Sequence, residues 1–221
     1  ENFDEGTNGY TYFDADAANT GTKYRTTGVD IEASEETDGF QVGWTATGEW
    51  LEYTVRVDSA GEYSLRLYAA STTSGGALKV DFGYSGSVTY YVNSTGSWTK
   101  RAIFKNKMNL QQGEQIVRLN IANGISFNID KLEVIPYWQE ELLSEKALEN
   151  SVSVSPNPTN GFVAIHVEGK TTVKVYNSMM LLDEMTIDGD IDYSLVNYDP
   201  GVYFFQFISD KGSFIKQIVK Q

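Results

Sequence analysis

The sequence predicts an all-β chain of two antiparallel sandwich domains. Three observations carry that expectation. Apolar residues recur at every second position in short runs, clusters of Gly, Ser and Asn separate the runs, and the first half shows no helical period between them. Composition agrees: 14 Tyr, 11 Phe and 20 Gly against 4 Pro in 221 residues suit many short strands joined by turns.

The first clear run is Trp50 to Val57. Leu51, Tyr53, Val55 and Val57 take one side, and Trp50, Glu52, Thr54 and Arg56 take the other, as in a half-buried strand. The pattern returns at Tyr63, Leu65 and Leu67, at Leu78, Val80 and Phe82, and at Val88, Tyr90 and Val92. It recurs at Val117, Leu119 and Ile121, then at Phe127 and Ile129. Ser59-Ala60-Gly61, Ser74-Gly75-Gly76, Asn93 to Gly96 and Gln112-Gly113 supply the turns. This spacing indicates an antiparallel sandwich or jelly roll over residues 1–136.

Residues 137–150 differ, with Glu140, Glu141, Glu145 and Glu149 in a stretch that suits a short helical turn or an extended linker. The domain boundary is placed here. A second strand-rich segment, 151–221, then shows Val152 and Val154; Val163, Ile165 and Val167; Val173 and Val175; Tyr203, Phe205 and Phe207; and Ile215 to Val219. Roughly six or seven short strands in about 70 residues suit a small immunoglobulin-like sandwich.

Several function classes are disfavoured. A formal charge of −13, from 17 basic and 30 acidic residues, argues against a nucleic-acid backbone as partner. No cysteine is present, so disulfides and thiolate metal sites are ruled out. No apolar run approaches the length of a membrane-spanning helix. His166 is the only histidine, which leaves no multi-histidine metal site and reads as a residue on a strand face. Asp188-Gly189-Asp190-Ile191-Asp192 opens like a calcium loop, but Tyr193 and Asp199 break the pattern; Asp14-Ala15-Asp16 fails at Asn19. The 30 acidic residues guarantee chance carboxylate pairs, and none stands out as a hydrolase pair. The chain opens at Glu1 within what reads as a strand, the pattern of a fragment or processed product.

Binding sugars in water calls for flat apolar faces against the C–H side of pyranose rings and a few fixed amides or carboxylates for the hydroxyls. Trp44, Trp98, Glu32 and Asn128 fall at turn edges or outward strand positions and supply both. Read alone, Trp44 and Trp50 serve equally well as core aromatics. Asn128 can bond a turn, and Glu32 can belong to a solvated acidic loop with Glu35, Glu36 and Asp38. Trp98, in a Ser/Thr/Gly loop beside Lys100, points towards exposure.

The runs Glu1-Asn2-Phe3, Tyr24-Arg25, Val29-Asp30-Ile31-Glu32, Val42-Gly43-Trp44, Gly48-Glu49-Trp50-Leu51-Glu52-Tyr53, Gly96-Ser97-Trp98 and Phe127-Asn128-Ile129-Asp130 together resemble family 6 carbohydrate-binding modules. The resemblance covers about residues 1–135. It implies a β-jelly roll without catalytic activity, usually attached to glycoside hydrolases. It also implies that Trp44 and Trp98 clamp a sugar ring while Glu32 and Asn128 take its hydroxyls. Trp50 matches an aromatic that some members use in a second cleft on the concave sheet face. A structural calcium is implied near the chain start and the last strand, with Glu1 and Asp130 matching two of its ligands. The stretch Tyr10 to Arg25 is similar to members found with agarases, which makes an agar-type galactan the expected polysaccharide. Phe40 stands where many of these modules have Tyr.

Further on, Ser155-Pro156-Asn157-Pro158, Val173-Lys174-Val175-Tyr176-Asn177, Tyr193-Ser194-Leu195, Pro200-Gly201-Val202-Tyr203 and the ending Ile215 to Lys220 resemble the type A C-terminal sorting domain of the type IX secretion system. The pattern departs at Met179-Met180-Leu181, where a Gly-Arg or Gly-Lys turn is usual. This resemblance implies a Bacteroidetes-like protein exported through the type IX secretion machinery and then attached at the outer-membrane cell surface or released. Pro156 and Pro158 fix an extended entry, and the final run offers an edge for strand addition. The expectation is therefore a secreted, non-catalytic polysaccharide binder. Its rivals are a surface adhesion or interaction protein, and a part of a glycoside hydrolase whose catalytic domain lies outside these residues.

Overall fold

The structure, a computed structural model, describes residues 1–16, 18–35, 39–123 and 126–221. Glu36 and Asp38, placed in an acidic loop above, lie outside the described residues. Two units are present, Glu1–Tyr137 and Trp138–Gln221.

The first unit contains β1 (Tyr12–Phe13), β2 (Ile31–Ala33), β3 (Phe40–Val42), β4 (Trp50–Val57), β5 (Gly61–Ser71), β6 (Gly76–Asp81), β7 (Ser87–Val92), β8 (Ser97–Leu110), β9 (Gly113–Asn123) and β10 (Asn128–Pro136). They form two five-stranded sheets, ordered β1-β4-β9-β6-β7 and β2-β3-β10-β5-β8. Every pairing is antiparallel. The expected alternation is realised as buried rows. Leu51, Leu119 and Val80 lie side by side across the first sheet, and Ile31, Val42, Ile129 and Ala69 across the second, none more than 7% exposed. One contiguous core results. The buried Tyr90 on β7 satisfies its hydroxyl by donating to the Leu65 carbonyl of β5 at 3.0 Å, which ties one sheet to the other.

The second unit begins within α1 (Tyr137–Asn150), so the stretch read as a helical turn or linker is a 14-residue helix. Leu148 near its end is 1% exposed and belongs to the second core. β11 (Val152–Ser155), β12 (Phe162–Tyr176), β13 (Leu181–Ser194), β14 (Gly201–Ser209) and β15 (Gly212–Lys220) follow. These are five strands, fewer than the six or seven short ones expected, because β12 and β13 are long. A register shift between Val167 and Thr171 interrupts their hairpin, with Gly169 at φ 93° supplying a backbone that other residues rarely adopt. On its other side, β12 pairs with β11 before the shift and with β14 after it. Tyr203 donates to the Asp199 carbonyl four residues upstream at 2.5 Å, the corner found in immunoglobulin-like sandwiches.

The final strand, expected to offer an edge for strand addition, does lie at an end of the sheet order, but part of its length is covered. Asn157 Nδ2 donates to the Gln217 carbonyl at 2.8 Å, and Val219 N donates to Asn157 Oδ1 at 2.9 Å. Thr159 N bonds the Val219 carbonyl at 2.8 Å, and Gln221 N bonds the Thr159 carbonyl at 2.9 Å. The segment following Ser155 therefore covers the last third of β15, and the Asn157 side chain stands in for a neighbouring strand.

Candidate functional site

Four residues expected around one sugar ring line a single open cavity. Glu32 from β2, Trp44 from the turn after β3, Trp98 at the start of β8 and Asn128 at the start of β10 surround about 410 Å³, with Ser126 at the rim. Trp44 is 47% exposed and Trp98 42%, so both indoles keep a large apolar area in water. Beneath them, Asn128 is only 4% exposed.

The Trp44 turn is held from both sides. Trp44 has φ 47°, a left-handed backbone that a bulky side chain seldom adopts and that carries roughly 1–3 kcal/mol of strain. Gly43 N donates to the Asp30 carbonyl at 3.0 Å. Thr45 Oγ1 donates to the Phe127 carbonyl at 2.8 Å and accepts from Phe127 N at 3.0 Å. Glu49 continues the anchoring, accepting from Ala46 N at 2.7 Å and from Ala15 N at 3.3 Å. With its neighbours fixed, the indole of Trp44 is presented rather than free to fold onto the sandwich.

The polar floor is a network. Gln41 Nε2 donates to Glu32 Oε1 at 2.8 Å across the β2–β3 pair, where the two residues are register partners. Asn128 Nδ2 donates to the same Oε1 at 2.8 Å and to the Trp98 carbonyl at 2.9 Å. Gly43 passes close to this network. A Cβ at that position would sit 3.1 Å from Asn128 Oδ1 and 3.4 Å from Glu32 Oε1. Gln41 and Thr45 were not singled out from the sequence; Gln41 lies in a strand of only three residues with no legible alternation, and Thr45 follows it in the turn.

The remaining expected residues lie elsewhere. Trp50 is on β4, in the other sheet, facing away from the core that its neighbour Leu51 enters. The Arg118 guanidinium lies over its ring at 4.0 Å and is held by Glu52, with Arg118 Nε 2.8 Å from Glu52 Oε1. One indole face is thus covered by a cation rather than left open. Glu1 and Asp130 do line one cleft together. However, the Asp130 carboxylate, 6% exposed, is paired with the Arg101 guanidinium. Among the described residues, no group of three or more Asp, Glu or His could hold a metal ion. Calcium takes six to eight oxygen ligands. Glu1 and Asp130 supply two carboxylates towards that number, and a guanidinium already pairs with one of them.

A carboxylate cluster underlies the Trp44 turn. Burial, reinforced by the charges of Glu49, Asp30 and Asp16, pushes Asp14 up to about 7 even though its Oδ1 accepts from Asp16 N. Folding therefore holds this proton more tightly than the unfolded chain does. The contribution is fully present at acid pH and is lost as pH rises from 3.8 through about 7. Asp14→Asn, which keeps the acceptor oxygen, should raise Tm by a few degrees at pH 8 and change it little at pH 4, as read by calorimetry. Thr45→Val keeps the shape but leaves the buried Phe127 N–H and carbonyl unpaired. It should lower stability by about 1–3 kcal/mol in urea titrations.

With this geometry in hand, comparisons with known proteins bear on the identity of the chain. Residues 8–136 match the model of the carbohydrate binding module (family 6), and residues 153–221 match that of the secretion system C-terminal sorting domain. No curated protein matches the chain. Among solved structures, similar ones include the carbohydrate binding module of lichenase 5A from Cellvibrio mixtus in complex with cellotriose. It is 26% identical, covers 49% of this chain and 86% of that one, and has a TM-score of 0.44. Another is the C-terminal family 6 module of LamC, a marine laminarinase from Zobellia galactanivorans, at 25% identity, 48% and 87% coverage and a TM-score of 0.45. A β-1,3-glucan binding family 6 module from Bacillus halodurans is 22% identical, with 49% and 86% coverage and a TM-score of 0.44. The chain belongs to the family 6 carbohydrate-binding modules and carries a C-terminal sorting domain of the type IX secretion system.

Proposed function

We propose that the first unit binds a polysaccharide without cleaving it, by seating one sugar ring between Trp44 and Trp98 over a floor of Glu32 and Asn128. The single observation that carries this reading is the pair of half-exposed indoles flanking one cavity with a buried, hydrogen-bonded polar base. Apolar C–H faces of a pyranose stack on the indoles, and its hydroxyls meet the amide and carboxylate. A site of this size suits affinities between millimolar and micromolar, about −4 to −8 kcal/mol. An agar-type galactan is the leading ligand, on the resemblance of the Tyr10 to Arg25 stretch to modules found with agarases. Trp50, under Arg118, is left as a candidate for a second and separate contact. The second unit directs the chain through the type IX machinery to the exterior, where we place it at the outer-membrane surface.

Affinity electrophoresis in gels containing agarose, xylan or β-glucan tests the first half. The intact chain should be retarded by at least one of them, and Trp98→Ala should migrate as in a plain gel. Equal retardation of wild type and Trp98→Ala would reject the clamp. For the second half, removal of residues 151–221 should leave the protein inside a type IX-competent host. Its continued appearance in the medium or on the surface would reject the sorting role.

A further inference from the structure

The hydrogen-bond directions in the cavity floor restrict which sugars fit. Asn128 Nδ2 has two hydrogens and gives them to Glu32 Oε1 and the Trp98 carbonyl, at 2.8 and 2.9 Å. Both partners are acceptors, so the amide orientation follows from chemistry: reversing it would set oxygen against oxygen twice. Gln41, 1% exposed, adds a third restraint by donating to the same Glu32 Oε1 at 2.8 Å. With Oε1 doubly occupied, the carboxylate cannot rotate without losing two bonds.

Two polar atoms of the floor make no hydrogen bond within the described chain: Asn128 Oδ1 and Glu32 Oε2. Both are acceptors. None of the five lining residues carries positive charge; the donors beside the floor are the Ser126 hydroxyl and the indole N–H groups of Trp44 and Trp98, all neutral. We propose that Gln41 is a positioning residue that fixes this floor as a hydrogen-bond-accepting, negatively charged surface, selecting neutral sugars with free hydroxyls and rejecting sulfated or uronate glycans. The inference rests on the reading of the cavity as a sugar site. A free hydroxyl donates to Oδ1 or Oε2. A sulfate ester or carboxylate brings only acceptors and a like charge close to the Glu32 carboxylate, with no cation on the lining to compensate. Gly43 lets the ring approach these atoms, because a Cβ there would stand 3.1 Å from Oδ1.

The test is calorimetric titration of the full chain with galacto- and gluco-oligosaccharides, each unsubstituted and O-sulfated on every ring. The neutral member of at least one pair should bind about ten-fold more tightly or better. Glu32→Gln removes the charge and turns one floor acceptor into a donor, so the neutral-to-sulfated ratio should fall towards one. Gln41→Leu, with melting temperature measured alongside, should lower the ratio through loss of the restraint. If the wild type binds no member of either pair, the sugar-site reading itself fails. If it binds sugars but treats neutral and sulfated forms alike, or if Glu32→Gln weakens both in equal proportion, only the accepting floor is overturned. A folded Gln41→Leu that keeps the wild-type ratio removes Gln41 from the account.

Discussion

The hydrophobic effect that builds the two sheets also opposes leaving indoles half in water, and this opposition organises the binding end of the first unit. Roughly 100 Å² of each of Trp44 and Trp98 stays exposed, about 2–3 kcal/mol apiece of burial left unrealised. A flexible turn would recover much of that by folding the rings onto the sandwich. The turn around Trp44 prevents it with bonds on either side, through Gly43 to Asp30 and through Thr45 to Phe127. The left-handed backbone at Trp44 is tolerated because its neighbours leave no alternative. The core of Leu65, Leu67, Leu78 and Phe127, all 0% exposed, provides the stability that makes such local strain affordable. The surface left open is then flat, apolar and pre-placed, the combination that a sugar ring can cover with little ordering cost.

The floor follows a related constraint. A buried amide is expensive unless every hydrogen finds an acceptor. Asn128 meets that demand only because Glu32 on β2 and the Trp98 carbonyl on β8 converge on it from two other strands of the same sheet. The network therefore does two things at once. It satisfies a buried polar group, and it registers the start of β8, which bears one indole, against β2 and β10. Trp98 takes part twice, with its ring in the cavity and its carbonyl in the floor.

Much of the scaffold was legible because strict alternation reports burial directly. Leu51, Tyr53, Val55 and Val57 and the runs after them turn inward as expected. β8 escaped notice because Lys100, Arg101, Lys105 and Lys107 break up its apolar positions, and the short β1 to β3 hold too few residues to show a period. β13 was hidden similarly by Asp183, Glu184, Asp188, Asp190 and Asp192. The cavity residues were reachable only through motif order, since a Trp in isolation is as readily core as surface. Gln41 and Thr45 carried no signal at all, because their significance lies in partners far along the chain, with Thr45 bonding Phe127 82 positions away. Glu1 and Asp130 were likewise reachable only through motif order, and the Arg101 guanidinium that pairs with Asp130 carried no signal in the sequence.

The second unit faces the problem of being a small sheet with edges. β15 is covered over its last third by Asn157 and Thr159, which bond the backbone of Gln217, Val219 and Gln221. β13 pairs only with β12 among the described strands and carries five carboxylates over 14 residues with no basic side chain. Charge on an exposed edge resists addition of further strands, and a covered edge removes the template. Pairing with neighbouring copies is thus opposed along β13 by charge and over the last third of β15 by cover. The same protection constrains recognition. Strand addition along the last third of β15 would first require Asn157 and Thr159 to withdraw. Side chains on the folded surface are a less costly basis for reading this domain than the backbone of its final strand.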